Sequence, residues 1–154
     1  MHQTPIVDCV GLSQDAAIRA RILVVDDEPG VRETLERLLG HEGFVVCASG
    51  GIDEALDELE RTSFDAVVLD VRMPDPTGGK RSGIDVLNFI RNHERLRRIP
   101  VLMITGGNLT DTEEKAILGL QSYVLNKSEG WRTLYPYLRH LTATAALNSK
   151  TKGP

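Results

Sequence analysis

Asp26 and Asp27 stand side by side at the end of the apolar run Ile22-Leu23-Val24-Val25, immediately before Glu28-Pro29. Two adjacent carboxylates delivered to one place repel each other, so such a pair needs a cation. A third acid, Asp70, ends the run Ala66-Val67-Val68-Leu69 in the same way. A hydroxyl, Thr105, ends Val101-Leu102-Met103-Ile104, and an amine, Lys127, follows Tyr123-Val124-Leu125-Asn126. Two acids, a third acid, a hydroxyl and an amine that converge on one sheet edge make a site for a cation, with fixed donors on its opposite side. Each residue also has a plainer use. An acidic pair at a helix start favours the helix dipole, Asp70 suits a turn, Thr105 suits a strand, and a lone lysine suits solvent. Residue type alone leaves both uses open.

The elements that position these residues are legible from periodicity. Uninterrupted apolar runs of this length fit strands covered on both faces, as in a parallel sheet. Between them the apolar residues recur at helical spacing. Pro29 opens the first helix, with Val31, Leu35, Leu38 and Leu39 on its stripe, and Gly40 and Gly43 close it. Phe44 to Ala48 reads as a second strand, Ile52, Ala55, Leu56 and Leu59 as a second helix, and Ile84, Leu87 and Ile90 as a third. Thr110 or Asp111 caps the fourth helix, since each has a glutamate three residues on. The last helix gathers Trp131, Leu134, Tyr135 and Leu138, and Pro136 requires it to begin near Thr133.

Five strands alternating with five helices predict an α/β fold with a doubly wound five-stranded parallel sheet; the order taken for it is the flavodoxin-like 2-1-3-4-5. In that order the switch point lies between strands one and three, which places Asp26, Asp27 and Asp70 in one crevice. Residues 21–141 form the expected domain, with residues 1–20 as an N-terminal extension and 142–154 as a C-terminal tail.

The Val-Asp-Asp-Glu-Pro run, Asp70 followed by Val-Arg-Met-Pro, the strand-end Thr105 and the late Lys127 together resemble the receiver domains of bacterial response regulators, the phosphoacceptor half of two-component signalling. The resemblance covers about Arg21 to Leu141. It implies that Asp70 is the phosphoacceptor and that Asp26, Asp27, Asp70 and the backbone carbonyl of Arg72 hold Mg²⁺. Thr105 and Lys127 are then the catalytic donors to the phosphoryl oxygens. Thr105 and Tyr123 are the switch residues, and the face built from the fourth helix, fifth strand and fifth helix carries the output. The implied partners are a sensor histidine kinase or phosphotransfer protein and a downstream effector protein, with homodimerisation through that same face. No enzymatic turnover is implied beyond self-phosphorylation and self-dephosphorylation. An aspartate-nucleophile phosphohydrolase uses similar groups but an Asp-x-Asp strand end, where this chain has Arg72. A receiver-shaped interaction module that is never phosphorylated is the other alternative.

Three features depart from the family pattern. The segment Met73 to Ser82 is longer than the usual connection, made pliable by Gly78 and Gly79, with Lys80 and Arg81 available to a phosphate or an acidic partner. Tyr123 lies four residues before Lys127 instead of three, which calls for a bulge or local shift, and Ser128 stands where a proline is usual. Pro136 reshapes the last helix.

Composition sets milder limits. The chain has 154 residues, 41% hydrophobic and 26% charged, as in ordinary globular proteins, and its net charge of −4 gives no general affinity for nucleic acid or anionic membrane. Too few residues follow Leu141 for a DNA-binding motif, so no direct nucleic-acid contact is expected. No apolar stretch is long enough for a membrane span. Cys9 and Cys47 lack a metal-ligand or redox spacing, and Cys47 reads as a buried reduced thiol, which suits the cytoplasm. Arg91, Arg95, Arg97 and Arg98 read as a solvated helix end, and the four histidines are scattered.

Overall fold

The computed structural model describes residues 19–151, with side-chain surroundings to residue 143. Among these residues strands and helices alternate as β1 (Arg21–Val25), α1 (Pro29–His41), β2 (Val45–Ser49), α2 (Ile52–Arg61), β3 (Ala66–Asp70), α3 (Gly83–Asn92), β4 (Val101–Thr105), α4 (Asp111–Gly119), β5 (Tyr123–Asn126) and α5 (Leu134–Thr151). Two 3-10 turns, Lys127–Glu129 and Trp131–Thr133, join β5 to α5. The strands form one sheet in the order β2-β1-β3-β4-β5, every pairing parallel. This is the doubly wound, flavodoxin-like order expected.

The strand period of two splits the core into two layers. Leu23, Val25, Val67, Leu69 and Met103 face α2, α3 and α4. Ile22, Val24, Val68, Leu102 and Ile104 face α1 and α5. All five residues of β3 and of β4 are buried, which is why these strands read as continuous apolar runs.

Local chemistry fixes the helix starts that border the sheet's C-terminal edge. Ser82 caps α3, its hydroxyl accepting from the Ile84 N–H while the Asp85 carboxylate accepts from the Ser82 N–H. Of the two candidate caps for α4, Thr110 is used: its hydroxyl accepts from the Glu113 N–H and Glu113 Oε1 accepts from the Thr110 N–H. α5 begins at Leu134, so Pro136 lies in its first turn, where a missing N–H interrupts no hydrogen bond. The helix runs on past the boundary expected at Leu141.

Several expectations are corrected. β5 pairs with β4 without a bulge, Leu102 opposite Tyr123 and Thr105 opposite Asn126, so Lys127 lies one residue beyond the strand and opens a 3-10 turn. Arg91 and Arg95 do not belong to a solvated helix end. Arg91 donates to the carbonyls of Leu120, Arg97, Ile99 and Gln121, and Arg95 to those of Leu59 and Glu60. These guanidinium groups satisfy carbonyls left over at the ends of α4 and α2, which is what a long cation near a helix C-terminus does best. Cys47 is buried but disulfide-bonded, not a reduced thiol, so it supplies no argument for a reducing compartment. Burial excludes solvent without fixing oxidation state. Cys9 lies outside the described residues, as does the expected N-terminal extension up to residue 18. Among the described residues no helix is long and apolar enough to cross a membrane.

Candidate functional site

The ends of β1 and β3 adjoin in the sheet, with Val25 opposite Leu69, so the residues that follow each strand come out together. Carboxylate oxygens of Asp26, Asp27 and Asp70 all lie within 4.8 Å of one another. Asp26 is fully buried and Asp70 nearly so, whereas Asp27 is the more open of the three. Lys127 reaches into this group from beyond β5. Its Nζ lies 2.8 Å from Asp26 Oδ2, 3.2 Å from Asp70 Oδ2 and 3.0 Å from Glu28 Oε1.

The charges explain the geometry. Burial, then the neighbouring Asp26 charge, push the Asp70 carboxyl up from 3.8 to about 6, against the opposing pull of Lys127 and of the Arg72 N–H. Burial alone works against the Lys127 ammonium, but Asp26, Glu28 and Asp70 outweigh it and raise its pKa. Asp26 Oδ1 accepts from the Glu28 N–H at 2.9 Å. Asp26 Oδ2 is buried and is met by the Lys127 ammonium as an ion pair. A buried oxygen that shares one ammonium with Asp70 and Glu28, beside two further carboxylates, is a donor set suited to a hard divalent cation, which takes oxygen ligands.

Asp70 is held from both sides. Its Oδ1 accepts from the Arg72 N–H at 3.1 Å and its Oδ2 from Lys127. The α3 start presses against its backbone: a Cβ on Gly83 would stand 1.9 Å from the Asp70 carbonyl oxygen, and the Gly83 N–H donates to the Val71 carbonyl at 2.9 Å. Only glycine permits so close an approach.

The structure therefore brings Asp26, Asp27, Asp70 and Lys127 together, while the hydroxyls of Thr105 and Tyr123 are not among the contacts of that group. Thr105 is buried at the end of β4, but its hydroxyl donates to the Gly107 carbonyl at 3.1 Å and accepts from the Gly107 N–H at 3.3 Å. Tyr123 lies farther off, exposed and 6.3 Å from the ring of Tyr137. Thr105 and Tyr123 do line the same groove, of about 560 Å³, which runs between α4, β5 and α5 and carries the exposed side chains of Leu118 and Tyr137.

The long segment before α3 closes on itself at Asp75, which takes Arg81 out of the cationic pair expected there. The Asp75 carboxylate accepts from the Thr77 N–H and hydroxyl and from the Arg81 N–H and guanidinium. These bonds hold its carboxyl well below the usual range. Arg81 also pairs with Asp53 of α2, so its charge is spent within the fold, while Lys80 stays exposed. Sequence reasoning missed this closure, although Asp75 followed two residues on by a threonine is a common self-bonding turn. It also missed Glu28 as a Lys127 partner, the close approach at Gly83, and the Arg72 side chain. That side chain spans the mouth to Glu113 and to the Asn108 carbonyl.

The pattern of the response regulator receiver domain family matches residues 22–138. Chemotaxis protein CheY of Pseudomonas aeruginosa is 37% identical over 107 residues, 68% of this chain and 82% of CheY. Response regulator protein PilR of the same organism is 36% identical over 99 residues, 64% of this chain and 21% of PilR. DNA-binding response regulator MtrA of Mycolicibacterium smegmatis is 36% identical over 105 residues, and there the aligned part is 41% of MtrA. Among solved structures, a CheY-like response regulator receiver domain protein from Methanospirillum hungatei superimposes with a TM-score of 0.76 at 20% identity, covering 85% of this chain and 99% of that one. The signal receiver domain of a histidine kinase from Syntrophus aciditrophicus gives 0.71 at 23%, covering 81% and 91%. These two likenesses bear on the fold alone. The matched pattern spans most of the chain, and with the CheY relative it shows that the chain belongs to the response regulator receiver domain family, the signalling module of two-component systems.

Proposed function

We propose that this receiver domain is phosphorylated on Asp70, taking the phosphoryl group from the phosphohistidine of a sensor histidine kinase or phosphotransfer protein with Mg²⁺ as cofactor. The observation that carries this reading is the meeting of three carboxylates within 4.8 Å with Lys127 Nζ 3.2 Å from Asp70 Oδ2. A carboxylate oxygen of Asp70 attacks phosphorus, the phosphorus–nitrogen bond breaks, and the imidazole keeps the electron pair. With a pKa of about 6, Asp70 is mostly ionised at neutral pH and available as the nucleophile. The Arg72 N–H fixes its rotamer through Oδ1. Asp26, Asp27, Asp70 and the Arg72 backbone carbonyl are the residues that would hold Mg²⁺, which when bound supplies positive charge to the phosphoryl oxygens.

Lys127 pairs with a phosphoryl oxygen on the opposite side, and the Thr105 hydroxyl donates to another once it leaves Gly107. That turn draws the loop after β4 with it. A phosphoryl group adds about one and a half to two negative charges, enough to reorder a loop through new charge-assisted hydrogen bonds. The exposed Leu118, Tyr123 and Tyr137 along the α4–β5–α5 groove suit a downstream effector protein or a second copy as the reader of that change, with Thr105 and Tyr123 as the switch residues.

Incubation with a small phosphodonor, followed by intact mass, tests the proposal. One phosphoryl addition is expected with Mg²⁺, and none with chelator or in Asp70→Asn. Phosphate release over many turnovers would instead indicate a hydrolase, and no addition under any condition would leave an unphosphorylated interaction module.

A further inference from the structure

We propose that Arg72 is a positioning residue that couples the phosphorylation of Asp70 to the β4–α4 loop by exchanging partners. Its guanidinium leaves Glu113 and Asn108 for the phosphoryl group. This rests on the phosphoacceptor reading and names the regulation of that site.

The backbone and side chain of Arg72 serve opposite walls of the cleft. Its N–H donates to Asp70 Oδ1, so the residue is anchored at the reacting carboxylate. Its side chain crosses to the other wall, where Nη1 and Nη2 grip both oxygens of Glu113 and Nη2 also donates to the Asn108 carbonyl at 2.8 Å. Glu113 is in turn fixed to Thr110 by the reciprocal cap of α4. One side chain thus ties the end of β3 to the loop after β4 and to the first turn of α4.

That tie opposes the motion the phosphoryl group requires. The Thr105 hydroxyl is closed on Gly107, and the next residue, Asn108, is the one Arg72 holds. When the Thr105 hydroxyl leaves Gly107 for the phosphoryl group, the loop it lets go is still held one residue on, where Arg72 grips the Asn108 carbonyl. Phosphorylation changes the balance. Glu113 offers the guanidinium one negative charge, whereas a phosphoryl group beside its own backbone offers up to about two and the same two-oxygen geometry. Release costs Glu113 little, because its carboxylate keeps the Thr110 N–H, the largest influence holding its pKa down, and stays at the positive end of α4. The Arg72 side chain is half-exposed, so the pair it leaves is of the weak, reversible kind suited to a latch.

The test compares the full chain with Arg72→Gln, Glu113→Gln and the double variant by hydrogen exchange over residues 106–113, before and after addition of a small phosphodonor with Mg²⁺. Gln at 113 keeps an acceptor for the Thr110 N–H. Without donor, each single variant is expected to exchange about two- to fivefold faster than wild type, and the double variant no faster than the faster single, since both remove one contact. After adduct formation the wild type is expected to rise toward the level of Arg72→Gln, while Arg72→Gln itself changes little. A merely structural Arg72 would not remove the response to phosphorylation. Equal donor-free exchange in all four proteins, or a phosphorylation response in Arg72→Gln as large as in wild type, overturns the proposal while leaving the phosphoacceptor reading intact. If intact mass shows no adduct on wild type, the phosphoacceptor reading fails and takes the partner exchange with it.

Discussion

Replacing Asp70 by Asn is expected to stabilise the protein at neutral pH and leave it unchanged in acid. The Asp70 carboxyl titrates near 6 in the folded chain against 3.8 for the free group, burial being the main cause and the Asp26 charge the second. The folded state therefore binds this proton more tightly than the unfolded state does. Wild-type stability from this group is fully present below pH 3.8 and is lost as pH rises through about 6. At about 1.4 kcal/mol per pH unit, the whole gap would be worth about 3 kcal/mol. Solvent at the open mouth screens the charge, so about 1–2 kcal/mol is the expected gain at pH 7.5. Asn keeps an acceptor for the Arg72 N–H, and Lys127 keeps Asp26 and Glu28. Urea unfolding of both proteins with chelator, from pH 4 to 7.5, reads the difference directly. Curves that coincide at pH 7.5, or an Asn variant that loses stability relative to wild type as pH rises, would refute the electrostatic reasoning. Mg²⁺ supplies the second arm, since it should stabilise wild type more than Asp70→Asn.

Gly83→Ala forces a methyl group to within 1.9 Å of the Asp70 carbonyl oxygen, so the α3 start must retreat; a loss of about 1–3 kcal/mol in urea is expected, and an unchanged midpoint would contradict the contact. Lys127→Met strands the fully buried Asp26 beside Asp70. A destabilisation of about 3 kcal/mol at pH 7.5 with chelator, partly restored by Mg²⁺, is the expected result of thermal and urea melts. Arg91→Met leaves the carbonyls of Leu120 and Ile99 without that donor, which should cost about 1–3 kcal/mol. Because its partners are carbonyls, the loss should be the same in low and molar salt, and a loss that vanishes in salt would point to an ion pair instead.

Periodicity and strand-end chemistry carried most of the fold into view. Apolar runs covered on both faces leave little choice but a parallel sheet, whereas the strand order is set by contacts distant in sequence and was taken from the fold class. Asp26, Asp27, Asp70 and Lys127 were legible because each sits at or just beyond a strand end, where direction is set by the backbone. The Thr105 hydroxyl was not, since its partner is chosen by a torsion of a loop and not by position along a strand. Counting from family spacing misled at β5: Tyr123 and Lys127 both fit a regular ladder once the lysine is allowed to lie past its end. Arginine partners were the least readable. Arg81 finds acids on its own turn and on α2, whereas Arg91 finds carbonyls, and a long flexible stem gives no sequence cue for either choice. The Cys47 disulfide was hidden for a similar reason, because pairing depends on what lies nearby in space.

The contact between Gly83 and the end of β3 makes the cleft mechanically lopsided. Main chain touches main chain on that flank, so α3 and Asp70 behave as a single stiff anvil. The facing flank is closed by side-chain bonds that swap at little cost. If Asp70 is phosphorylated as proposed, the strain of the adduct is accordingly dissipated away from α3, and the direction in which the molecule deforms is dictated by where a methyl group has no room.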